Sequence, residues 1–106
     1  MRVTISHDKG QKEAMRIVDQ SAQDLMSGIP TGPVRITDPE KSWNGNTMNF
    51  SFRVKMGLFR TSIHGTVLVT DKDAIIDVEL PGIMKTFLPE EKIRAAVETK
   101  VRGLLA

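Results

Sequence analysis

Three runs of strict alternation, separated by very short breaks, constrain this chain more than any other feature. Met48, Phe50, Phe52, Val54 and Met56 alternate with Asn49, Ser51, Arg53 and Lys55. Phe59, Thr61, Ile63, Gly65, Val67 and Val69 alternate with Arg60, Ser62, His64, Thr66 and Thr70. Ala74, Ile76, Val78 and Leu80 alternate with Ile75, Asp77 and Glu79. Alternation of period two puts one set on each face of a strand. The breaks at Met56-Gly57 and Asp71-Lys72 have the length of tight antiparallel hairpins. A turn at Met56-Gly57 pairs Val54 with Phe59 and Phe50 with Ile63. A turn at Asp71-Lys72 pairs Val69 with Ala74 and Ile63 with Leu80. Both registers keep every apolar set on one face, as a buried face demands. The result is a meander with one greasy and one polar face.

A greasy face needs a cover, and two segments have the pattern to supply it. Ala14, Met15, Val18, Ala22, Leu25 and Met26 recur at helical spacing. Asp8, three residues before Gln11, gives that helix a capping-box-like start, and Gly28 and Pro30 stop it, so it is expected over roughly 9–27. Ile93, Ala96, Val97, Val101, Leu104 and Leu105 form a second stripe. There Pro89 suits a first-turn position, and Glu90–Arg94 and Glu98–Arg102 are spaced for ion pairs on the opposite side.

Two further extended pieces complete the order. Val3 and Ile5 alternate with Arg2, Thr4 and Ser6, a short strand. Val34 and Ile36 suggest another, interrupted by Asp38-Pro39 because proline cannot donate to a ladder. Asn44-Gly45 is a type I′ signal, and a two-residue loop there sets Trp43 beside Asn46 on the core side. Val34 and Ile36 then fall on the wrong parity, which a bulge or break near Pro39 repairs. The expected fold is α+β in a single domain over 1–106. Its antiparallel meander of four or five strands carries two amphipathic helices on one face, in the order β-α-β-β-β-β-α. This is similar to a reduced helix-grip arrangement.

Bulk properties narrow the function classes. At 106 residues, one ordinary core is expected and a large internal cavity is not. Net charge is +2 and the basic residues do not cluster with aromatics, so nucleic acid is not indicated. Cysteine is absent, the first ten residues lack an apolar signal core, and no apolar run approaches a membrane span. A cytoplasmic protein is expected. The glycines form no nucleotide-binding loop, and two histidines without cysteine make a metal or cofactor an unexpected addition.

Three sets of residues remain as candidates. On the polar face, the expected registers align Asn49, His64 and Glu79 in one row, a histidine between an amide and a carboxylate. The ordinary reading is a solvated face with cross-strand polar pairs. Ser62, His64 and Asp77 imitate a triad in composition, but positions two apart on a strand stand about 7 Å from each other. The apolar group Ile83, Met84, Phe87 and Leu88 either closes one end of the core or meets a partner or lipid-like surface. Met48, Phe50, Phe52 and Ile63, with the second helix, would line any ligand held between sheet and helix. The uncovered polar face could also join two copies, and Arg53 opposite Arg60 there suggests an anionic partner.

Several short motifs together resemble a known family. They are His7 shortly before a helix containing Glu13-Ala14, the stretch "WNGNTMNF" (Trp43 to Phe50), and Gly65, Val67, Val69 and Asp71. They continue with the "LPG" of Leu80-Pro81-Gly82 and a terminal helix ending "LLA". The chain resembles the putative polyhydroxyalkanoic acid system proteins over nearly its whole length, although its 34–42 segment is longer and less strand-like. The resemblance implies a non-enzymatic accessory role, with the granule or its proteins as partner, in granule association or regulation. It brings no catalytic residues. A small lipid-like ligand binder is the alternative.

Overall fold

The computed structural model describes residues 1–27, 35–82 and 89–106. The expected helix stop at Gly28 and Pro30, the strand residue Val34, the side chain of Met56, and the Ile83, Met84, Phe87 and Leu88 group lie outside the described residues. Five strands and two helices are described: β1 (Arg2–Ser6), α1 (Gln11–Ser27), β2 (Arg35–Asn44), β3 (Thr47–Met56), β4 (Phe59–Val69), β5 (Asp73–Glu79) and α2 (Glu90–Leu105). The sheet is antiparallel in the order β1-β5-β4-β3-β2, so β1 and β2 form its two edges.

Both helices lie on the inner face. Val3, Ile5, Met48, Phe50, Phe52, Val54, Ile63, Val67, Val69, Ala74, Ile76 and Val78 are buried there, in one cluster with Ala14, Val18, Ala22 and Met26 of α1 and Ile93, Val97, Val101 and Leu105 of α2. Met15 and Leu25 are half-buried at the edge of the α1 stripe. The parity read from the sequence therefore holds across β3, β4 and β5.

The registers differ at two hairpins. Asn44 pairs with Thr47, so the first turn is centred on Gly45-Asn46 rather than Asn44-Gly45, and Trp43 faces Met48 instead of Asn46. Met56 pairs with Phe59, so the second turn is Gly57-Leu58 rather than Met56-Gly57. In both, glycine holds the first central position at positive φ (62° at Gly45, 59° at Gly57) and the second residue does not. That is the dihedral pattern of a type II′ turn, which matches strand twist as well as type I′ does. Asn46 adds a reason for the first shift. Its side chain donates to the Val69 carbonyl at 2.8 Å, and its own carbonyl accepts from Val69 N–H at 2.9 Å. Moving a turn by one residue moves its register by two, so no side chain changes face. The third turn matches expectation, with Val69 opposite Ala74.

The anomaly in β2 resolves as a bulge. Thr37 pairs with Arg53 and Glu40 with Ser51, leaving Asp38 and Pro39 opposite Phe52 alone. Asp38 takes φ 53°, a left-handed conformation that aspartate tolerates better than most residues. The extra residue restores Ile36, opposite Val54, to the core face. The proline thus interrupts pairing without ending the strand, on an edge where its missing N–H costs least.

The helix ends also correct the sequence reading. Helix α1 begins at Gln11, and its first N–H donates to the Asp71 carboxylate at 3.2 Å; the cap comes from the β4–β5 turn, not from Asp8. Pro89 is the N-cap of α2 rather than a first-turn residue. Glu98 and Arg102 form the expected pair at 2.7 Å, whereas Arg94 donates to the Arg2 carbonyl at 2.7 Å instead of meeting Glu90.

Candidate functional site on the outer sheet face

With both helices on the inner face, the outer side chains of the sheet have no cover among the described residues. Their rows follow directly from the registers. At the β3–β4 hairpin end lie Arg35, Lys55 and Arg60, then Thr37, Arg53 and Ser62. Past the bulge come Glu40, Ser51, His64 and Glu79, then Ser42, Asn49, Thr66, Asp77 and Arg2. A small apolar row follows, with Leu68 and Ile75 half-buried side by side.

His64 therefore faces Ser51 and Glu79 rather than Asn49 and Glu79. Asn49 belongs to the next row, opposite Thr66, and is diagonal to His64. All three residues are exposed. Two shallow depressions flank His64, one bounded by Glu40, Ser42 and Asn49, the other by Thr66, Asp77 and Glu79. The triad-like set does not assemble. Asp77 is opposite Thr66, and its carboxylate takes the Arg2 guanidinium at 2.9 Å. Likewise Arg53 faces Ser62, and it is Lys55 that meets Arg60.

Inside, the space between sheet and helices is nearly filled among the described residues. A cavity of about 40 Å³ lies among Ala22, Leu25, Met26, Met48, Phe50, Val97 and Val101. Pockets that hold drug-sized or lipid-like molecules run to about 300 Å³ or more. Met48 and Phe50 line this space, while Phe52 and Ile63 do not; both are 1% exposed and lie deeper in the core. Lys100 also lines this space, and its ammonium donates to the Asp24 carbonyl of α1 at 3.0 Å.

A second polar cluster joins α1 to the β2 edge. Asp19 accepts from Trp43 Nε1–H at 2.8 Å and pairs with Lys41 at 2.9 Å. These two contacts, Lys41 first, hold the Asp19 carboxyl below its ordinary range. Trp43 is half-buried with its indole N–H satisfied, and it packs against the core at the hairpin end. His7 likewise has a structural partner. Its Nε2 lies 3.0 Å from the Thr70 carbonyl, which can only accept, so Nε2 carries the proton and Nδ1 accepts from Lys9 N–H at 3.2 Å.

The sequence model of one family, putative polyhydroxyalkanoic acid system protein, matches residues 1–105. The chain belongs to that family. The family's description links it to the polyhydroxyalkanoate system. No curated protein and no solved structure matches the chain. The residues that carry the resemblance mostly hold the fold together. His7 latches the first helix entry to the β4–β5 turn, Asp71 in that turn caps α1, Gly45 shapes a hairpin, and Trp43 ties that hairpin to α1. Gly65 completes the list: a Cβ there would run into the Phe50 ring and lie 2.8 Å from the Asp77 carbonyl oxygen.

One surface feature had no counterpart in the sequence reading. Leu58 is 104% exposed and Phe59 39% exposed at the tip of the β3–β4 hairpin. The signal was available, because a leucine beside a turn glycine is poorly placed for burial. A turn at Met56-Gly57 hides that signal, because it sets Leu58 against Lys55 within the strands.

Proposed function

We propose that this protein is a non-enzymatic accessory of the polyhydroxyalkanoate system that works through its surface, by associating with the storage granule or by regulating its formation. The observation that carries the reading is family membership over 1–105. The architecture agrees with a surface role. The inner face is committed to a packed core, while the outer face presents rows of exposed polar and charged side chains. Its setting would be the cytoplasm, at or near the granule. The reading assigns His64, Asn49 and Glu79 to a solvated face. The Ile83, Met84, Phe87 and Leu88 group is a second contact candidate alongside the outer face.

Co-sedimentation with isolated polyhydroxyalkanoate granules tests the association. Enrichment on granules is expected, and Phe87→Asp asks whether the apolar group contributes. Absence of enrichment removes the association version. If deleting the chain from its host then leaves granule number and size unchanged, the regulatory version falls as well. Binding of a lipid-like ligand in the core would require α1 and α2 to part, since the space between them holds about 40 Å³.

A further inference from the structure

The β3–β4 hairpin end combines two features, one apolar and one cationic. The first is apolar. Leu58 occupies the second central position of a type II′ turn with its whole side chain in water, and Phe59 follows it, 39% exposed. The equivalent position of the other hairpin is Asn46, which is polar and bonded to Val69. The turn geometry therefore does not ask for leucine.

The second feature is a row of like charges. Arg35, Lys55 and Arg60 stand directly opposite one another across three strands, and Arg53 occupies the next row. Like charges placed opposite each other on a sheet destabilise it. Among the described residues, the five ion pairs involve none of these four cations. Asp38 of the bulge lines a shallow depression with Arg53, Lys55 and Arg60, and Glu40 lies in the row beyond Arg53. Cations gathered at a cost to the sheet gain most from an external anion.

The arm is also accessible. Strand β5 pairs with β4 from His64 to Val69, so residues 59–63 of β4 pair only with β3 among the described residues. Five residues of strand reach about 17 Å. The cations of the first row lie two or three positions from Leu58 in β3 and β4, so they sit at headgroup depth when the tip enters a lipid layer. Such proximal cations and one exposed apolar tip match an anionic lipid surface. Nucleic acid would instead call for a longer basic track and stacking aromatics.

We infer that the β3–β4 hairpin end is a docking site for an anionic phospholipid surface, with Leu58 entering the acyl layer and Arg35, Lys55 and Arg60 meeting lipid phosphates. The inference deepens the proposed granule role and takes its biological setting from it, but its lipid chemistry is tested apart from any granule.

Flotation with vesicles of 30% phosphatidylglycerol in phosphatidylcholine, compared with phosphatidylcholine alone, is the experiment. Wild-type protein should bind the anionic vesicles and release in high salt. Leu58→Asp should lower the partition constant by roughly tenfold or more. Lys55→Glu with Arg60→Glu should lower it by at least about 25-fold, about fivefold for each positive charge lost. Lys72→Glu, at the opposite turn, should leave it unchanged. Leu58 is fully exposed, so circular dichroism should report an intact fold in its variant. The inference is overturned if anionic vesicles are not bound, or if neutral vesicles bind equally well. It is also overturned if binding survives Leu58→Asp unchanged, which would leave electrostatic attraction alone, with no entry of the tip into the acyl layer. Granule co-sedimentation that succeeds while vesicle binding fails would remove the lipid contact and keep the granule role.

Discussion

Gly65 sits in mid-strand next to His64, where a missing side chain could be taken as room for a ligand. The geometry gives it a different purpose. Phe50 lies opposite Gly65 on the inner face, and its ring is stacked on Phe52 with centroids 6.4 Å apart and planes 4° from parallel. That stacking holds the Phe50 ring over the glycine. An alanine Cβ would lie 2.9 Å from Phe50 Cε1 and 2.8 Å from the Asp77 carbonyl oxygen. The ring has some freedom to yield, because the cavity of about 40 Å³ adjoins it. The carbonyl belongs to β5 and moves only with the strand. Overpacking of a core typically costs 1–3 kcal/mol, and with one yielding and one rigid neighbour about 2 kcal/mol is expected for Gly65→Ala. In a domain of this size that lowers Tm by about 8–16 °C. Phe50→Leu removes the ring and should cost about 1–2 kcal/mol by lost packing. If the ring clash is half of the glycine's constraint, the double variant should be about 1 kcal/mol more stable than the sum of the singles predicts. Urea unfolding followed by circular dichroism and by Trp43 emission measures all three. A Gly65→Ala cost below about 0.5 kcal/mol, or strict additivity in the double variant, would refute the argument.

Two further outcomes follow from the contacts that hold α1. Asp19 has a depressed pKa through Lys41 and then Trp43, so its contribution to stability is full above the ordinary aspartate value of about 3.9 and fades as pH falls through the folded-state value. The carboxylate is 45% exposed, so after solvent screening Asp19→Ala should cost only about 1 kcal/mol at neutral pH, and it should red-shift Trp43 emission. Asp19→Asn keeps an acceptor for the indole N–H; it should preserve the emission spectrum while flattening the acid end of the stability profile. The cap on α1 is distant in sequence, so Asp71→Ala should cost about 1 kcal/mol and Asp8→Ala almost nothing, with thermal denaturation as the readout.

The fold was legible wherever burial and alternation coincide. Parity on β3, β4 and β5 follows from side-chain character alone, because a wrong parity would expose a whole apolar set. Register within that parity is decided by turns, and there the sequence was ambiguous. Asn44-Gly45-Asn46 contains two candidate two-residue loops, and Met56-Gly57-Leu58 likewise. Each was settled by which residue takes positive φ and, at Asn46, by two contacts to Val69 that lie 23 positions away. Long-range partners also explain the misplaced cap. Asp8 has the right spacing to Gln11, but Asp71 reaches that N–H from across the sheet. The bulge at Asp38-Pro39 was recoverable, since Ile36 and Trp43 cannot share a face without an extra residue between them.

The candidate site was less legible because rows across strands depend on register rather than on parity. A two-residue slip left every residue on its expected face yet changed every partner between β3 and β4: His64 exchanged Asn49 for Ser51, and Arg60 exchanged Arg53 for Lys55, while Glu79 stayed opposite His64. Core burial is insensitive to such a slip, since one apolar partner replaces another. Surface chemistry is not, because it rests on particular charges meeting. The slip turned a single arginine pair into a three-strand cationic row with an exposed leucine beyond it. A functional reading of an antiparallel sheet thus has to begin from the φ of its turn residues. Here the positive φ at Gly57 fixes the register that sets Lys55 against Arg60 at the hairpin end, where charge unpaired among the described residues meets exposed apolar surface.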